Sequence, residues 1–226
     1  MKSSDTLVLT QDSGAHASAP PANRVLRNTY WLLALTLTFS AGIAAATAAL
    51  RLPHPGIIIT LIGYFGLLFL TTRLRDSVWG LASVFGLTGF MGYTLGPIVS
   101  HYLTMPNGHQ IVTMAMGSTA GIFLGLSAYA TASRRDFSFL GGFLMTGIIV
   151  AFLAGLGAIF FSIPALSLTV SAAFVLLMSG LILYQTSAII HGGETNYIMA
   201  TVTLFVSIFN LFTSLLHLLG VLNSDD

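Results

Sequence analysis

Seven stretches of this chain, 30–50, 56–72, 78–103, 109–132, 137–162, 165–189 and 197–222, run for 17 to 26 residues without one Asp, Glu, Lys or Arg. A hydrocarbon core about 30 Å thick is crossed by roughly 20 helical residues. The runs are continuously apolar instead of alternating, which predicts helices and not a lipid-facing barrel. The second run, at 17 residues, stands at the lower limit for a span. Connections are brief, so the expectation is an all-α membrane protein: one seven-transmembrane-helix bundle over residues 24–226.

Composition excludes the alternatives. Hydrophobic residues make up 55% of the chain and charged residues 7%, whereas soluble domains carry about 25% charge. Eight basic against seven acidic residues give no bulk attraction to nucleic acid. Zero cysteines exclude disulfides, thiolate zinc sites and thiol catalysis. Residues 1–23, rich in Ser, Ala, Pro, Asp and Gln, read as a disordered tail. Arg24 and Arg27 before an apolar run also suit a signal peptide, but a cleavage site in "AGIAAATAA" would fall beyond the usual distance. An uncleaved first helix is expected.

Lys2, Arg24, Arg27, Arg73, Arg75, Arg134 and Arg135 fall on one side of the seven spans, and only Arg51 on the other. The positive-inside rule places the first group in the cytoplasm. The N-terminus and the "HGGETN" loop are then cytoplasmic, and the C-terminus is outside.

Small and polar residues pattern the spans. Gly117, Gly121 and Gly125 recur every four residues on one face of the fourth run, and Gly86, Gly89, Gly92 and Gly96 mark the third. Such rows let helix backbones approach closely in lipid, so both are expected to pack helices. Pro97 is expected to kink the third helix. In the seventh run Thr203, Ser207, Asn210, Ser214 and His217 form a polar stripe of helical period. That stripe predicts a helix within the bundle, satisfied by hydrogen bonds or lining a hydrophilic path. No charged side chain lies deep in a span, which argues against a proton-coupled transporter. No zinc or phosphate-loop motif occurs, and no catalytic site or cofactor is expected. A Ser207 or Ser214 pair with His217 would lie on one helix, without the geometry of a positioned nucleophile and base.

"VLRNTYWLLALTLTFSA" (25–41), "GFMGYTLGPI" (89–98), "FSFLGG" (137–142) and "IIHGGETNYIMATVTLFVSIFNLFTSLL" (189–216) resemble the Bax inhibitor-1 family, closest to its bacterial YccA-like branch. The resemblance covers the chain from Arg24 onward. It implies a seven-helix bundle with a central last helix, in a bacterial inner membrane. It also implies binding to the membrane-anchored AAA+ protease FtsH and its partners HflK and HflC, as a slow substrate that restrains the protease, with the tail as the handle. The family's other implied activity is a calcium or proton leak gated by paired acids. Those acids match Gln185 in "YQT", Ser207 in "LFVSIFNLF" and, in some relatives, Thr203. All three are neutral here, so gating through a shared-proton pair is expected to be lost.

The loop His191, Gly192, Gly193, Glu194 leads into the last run. The glycines suit a helix end, and Thr195 or Asn196 suits a cap, with Glu194 near a positive helix terminus.

Overall fold

A computed structural model describes residues 22–223. The segment read as a tail lies outside the described residues except for its last two, which already belong to the first helix. The helices are α1 Ala22–Ala49, α2 Ile57–Leu74, α3 Trp79–Leu103, α4 Gly108–Ser133, α5 Leu140–Phe160, α6 Pro164–Ile190 and α7 Tyr197–Leu222. All seven are long and apolar enough to cross a membrane. α1 starts eight residues before the apolar run that predicts it. Its first turns carry Arg24 and Arg27 outward while burying Val25 and Thr29, so packing extends the helix beyond the hydropathy signal.

Local chemistry sets several ends. Pro164 opens α6, where its missing N–H costs nothing. α4 stops at Arg134, whose left-handed φ of 50° breaks the helix. Gly192, at φ 77°, turns the chain after α6, a conformation glycine adopts without a side-chain clash. The Asn196 side chain caps α7 by accepting from the N–H groups of Ile198 at 3.0 Å and Met199 at 3.1 Å. α3 continues through Pro97 to Leu103.

α7 is the central helix, packed on α6, α4, α1 and α3. Phe205, Leu204, Leu211 and Leu216 on it are almost wholly enclosed. The outer surface is hydrocarbon: Trp31, Ile58, Ile62 and Phe69 all face outward. Lipid offers helices no hydrophobic drive to associate, so close van der Waals fit must hold the bundle.

The spaced glycines of α3 supply that fit, and the row Gly117, Gly121 and Gly125 of α4 does not. A Cβ at Gly92 would press on the Ser40 carbonyl, and one at Gly96 on the Thr47 side chain and, at 2.6 Å, on the Ala44 carbonyl. One at Gly89 would stand 3.0 Å from Phe39 and Ile43. Three successive turns of α3 are thus fitted against α1. Gly117, Gly121 and Gly125 are a correction to the sequence reading. They are exposed with nothing within 4 Å of a built Cβ, so the row faces lipid and packs no helix of this chain. Four-residue spacing identifies a face but not what covers it.

Candidate functional site: the interlocked loops and the interior of the last two helices

The turn 75–78, the segment 134–139 and the loop 191–196 lie at one end of the bundle, and the third holds the other two. Asn196 caps α7 with its oxygen and points its amide nitrogen the other way. Nδ2 donates to the Arg75 carbonyl at 3.2 Å and to Asp76 Oδ1 at 2.8 Å. The Asn196 backbone N–H donates to Glu194 Oε1 at 2.8 Å, which gives that carboxylate a local structural task. One asparagine therefore joins the α2–α3 turn to the start of α7.

The other connection runs through Ser187 and His191, one turn apart at the end of α6. Ser187 Oγ accepts from the Phe137 N–H at 3.1 Å and lies 3.1 Å from the Arg135 carbonyl, to which it donates. His191 Nε2 lies 3.0 Å from the Arg134 carbonyl and Nδ1 lies 2.9 Å from the Ser187 carbonyl. A neutral imidazole has one N–H and can donate to one of these oxygens; an imidazolium donates to both. Nearby, the Asp136 carboxyl is held below its usual range by the Ser138 N–H at 2.8 Å, then by the Ser138 hydroxyl and by the charge of His191. The exposed Arg75–Asp76 ion pair adds little by itself.

Asn196→Ala removes a helix cap and the tie to Asp76 together. The expected cost is about 1–2 kcal/mol, read as a lower midpoint of thermal unfolding in detergent. Asn196→Asp keeps an acceptor for the cap but sets a carboxylate against Asp76, so it too is expected to fall below the wild type. A midpoint unchanged in both variants would show that the loop is not held through this side chain.

Every acid among the described residues, Asp76, Asp136 and Glu194, belongs to this loop cluster. None enters the bundle, and no three His, Asp or Glu side chains among the described residues converge as metal ligands would.

The interior positions that resemblance singles out are closed. Gln185 is 5% exposed and Ser207 is fully buried. The Ser207 hydroxyl donates to the Thr203 carbonyl at 2.7 Å, within its own helix. Among the described residues the Gln185 amide nitrogen has no hydrogen-bond partner, nor does the neighbouring Thr186 hydroxyl. Two anchors fix how α6 lies against α7: Ile189 clusters with Ala200 near one end, and Ser171 meets His217 near the other. That antiparallel register sets Gln185 level with Leu204, and Thr203 and Ser207 within one turn of it.

The polar stripe of α7 divides. Thr203 and Asn210 line a cavity of about 710 Å³, with the Asn210 amide donating to the Val206 carbonyl at 2.8 Å. Ser207 and Ser214 are buried against protein. His217 pairs with neither serine of its own helix: its Nδ1 lies 2.8 Å from Ser171 Oγ of α6. Ser171 is also 3.0 Å from the Ser167 carbonyl and sits inside a continuous helix, whose backbone N–H groups are spent on the ladder. The pair lacks the free donors that would hold an oxyanion.

The Asn196 and His191 connections were not visible in sequence, since their partners lie 121 and 57 residues away. The available signal was the spacing of Ser187 and His191, which puts two side chains of α6 over the same neighbour.

Comparison with known proteins matches residues 22–224 to the family model described as "Inhibitor of apoptosis-promoting Bax1". The chain is 55% identical to a Pseudomonas aeruginosa protein over 216 residues, 96% of this chain and 97% of that one. It is 50% identical over 217 residues to the Escherichia coli protein named "Modulator of FtsH protease YccA", covering 96% of this chain and 99% of that one. A Pasteurella multocida protein is 48% identical over 204 residues, 90% of this chain and 92% of that one. With the family model spanning residues 22–224, and a seven-helix bundle built around the last helix, the chain belongs to the Bax inhibitor-1 family.

Proposed function

We propose that this protein is a multi-pass inner-membrane modulator of the FtsH protease, acting by binding and without catalysis. The observation that carries the reading is the end-to-end 50% identity with the E. coli protein of that name. The interior supports it. Gln185 and Ser207 offer no carboxylate pair, and the Ser207 hydroxyl is occupied within α7. The arginine distribution supports a cytoplasmic N-terminus and a periplasmic C-terminus, which turns the interlocked loops toward the cytoplasm. HflK and HflC are the further partners this role implies. The N-terminal residues 1–21 are the handle offered to the unfoldase.

The test is co-purification with FtsH in mild detergent, followed by site-specific crosslinking from the loops 75–78, 134–139 and 191–196. Removing residues 1–21 spares α1 and is expected to lengthen cellular half-life several-fold while FtsH still co-purifies. An unchanged half-life removes the handle, and absence of FtsH from both preparations removes the modulator reading itself.

A leak of the Bax inhibitor-1 type is the second reading, favoured by Thr203 and Asn210 at the large cavity. It predicts ion flux from reconstituted protein without a switch set by a carboxylate pair.

A further inference from the structure

The cavity of about 710 Å³ exists because two helices are sparsely held. α2 packs on α3 and α5 on α6, and α2 meets α5 through the edge-to-face rings of Phe65 and Phe152, 5.8 Å apart. Behind that pair, α7 forms the floor through Met199, Val202, Val206 and Phe209. Met91, Met145 and Met178 supply much of the side walls.

Shape limits the occupant. The lining runs from Thr60 to Thr72 on α2, about 18 Å at 1.5 Å per residue. An extended hydrocarbon chain lies along a groove of that length. Protein interiors do not leave voids of this size unfilled, and a mainly apolar cavity does not hold water well. Hydrocarbon is what the bilayer supplies through the gap between α2 and α5. Flexible methionine side chains adapt to such a guest.

Charge identifies the head. Thr72 lines the cavity at its arginine-rich end, and the next residue, Arg73, is exposed. The one ion pair among the described residues joins Arg75 to Asp76, which leaves Arg73 for an external anion. A guanidinium matches phosphate oxygens in geometry as well as charge. We propose that the α2–α5 cavity binds one acyl chain of an anionic phospholipid whose phosphate rests on Arg73. This site does not depend on the protease reading.

Native mass spectrometry of the full chain, extracted in mild detergent and exposed to equal phosphatidylglycerol and phosphatidylethanolamine, tests it. The wild type is expected to retain one phospholipid per chain, with phosphatidylglycerol preferred. Val206→Trp fills the floor and is expected to weaken retention about tenfold. Arg73→Gln, on an exposed residue, is expected to keep the chain-binding cavity and lose the headgroup preference. Circular dichroism and monodispersity establish that each variant is folded. A wild type that holds no lipid, a folded Val206→Trp that holds as much as the wild type, or an unchanged headgroup preference in Arg73→Gln overturns the proposal. A dimer that Val206→Trp abolishes would put a second copy at the site and overturn it as well.

Discussion

Gly92→Leu and Gly96→Leu are expected to yield little folded, monodisperse protein, because α1 and α3 can no longer meet. The atoms in the way are the Ser40 and Ala44 carbonyls and the Thr47 side chain. Backbone carbonyls cannot swing aside, so each new side chain must push a whole helix. Overpacking of ordinary cores costs about 1–3 kcal/mol, and a helix–helix seam without side-chain slack belongs at the upper end or beyond. In lipid no hydrophobic term holds the separated helices together, so the loss has little to offset it. Gly117→Leu and Gly121→Leu provide the contrast with the same chemistry on the lipid-facing row. There nothing is displaced, and replacing a helical glycine gains up to about 1 kcal/mol of intrinsic propensity. Recovery after detergent extraction and the thermal midpoint distinguish the rows. Equal damage from Gly117→Leu and Gly96→Leu would show that the α1–α3 fit is not what matters.

Gln185→Asp combined with Ser207→Asp is expected to introduce a pH dependence of stability through groups the wild type does not have. Both positions are enclosed, at 5% and 0% exposure, and the α6–α7 register brings them within about one turn of each other. An uncompensated charge in such a place costs about 3–5 kcal/mol, and two like charges there also repel. Burial penalises the ionised form, so the folded state of the variant binds protons more tightly than its unfolded state. Stability should therefore rise as pH falls and be lowest at neutral and alkaline pH. Thermal midpoints in detergent from about pH 5 to 8 measure the slope for the variant against the wild type. If the two slopes agree, these positions are hydrated or remote from one another, and the correspondence with a gating pair fails. Ser207→Asp alone separates the cost of one buried acid from the coupling between two.

The bundle was legible because hydropathy is a property of single helices. Seven runs without charge gave seven spans, and a polar stripe inside an apolar run placed the last helix among neighbours. The Asn196 cap was legible for the same local reason, since its acceptor needs only the next two N–H groups. What covers a face is not local. The glycines of α3 and α4 share a spacing signature, yet one row meets α1 and the other meets lipid. His217 likewise has serines at helical spacing on α7 but bonds to Ser171 of α6, because interhelical register and not sequence interval chooses the partner. The start of α1 was missed for a related reason: amphipathic turns at the membrane surface carry arginines, and hydropathy discounts them.

The α1–α3 seam also has a mechanical meaning. A motor drawing the N-terminus into the cytoplasm would pull α1 along its own axis. Ser40, Ala44 and Thr47 would have to slide past Gly92 and Gly96 together, in shear, with the load shared across several turns. A contact row peeled from one end yields one rung at a time, whereas a row loaded in parallel resists until most of it fails. A pull along α1 would therefore be resisted until most of the seam failed at once.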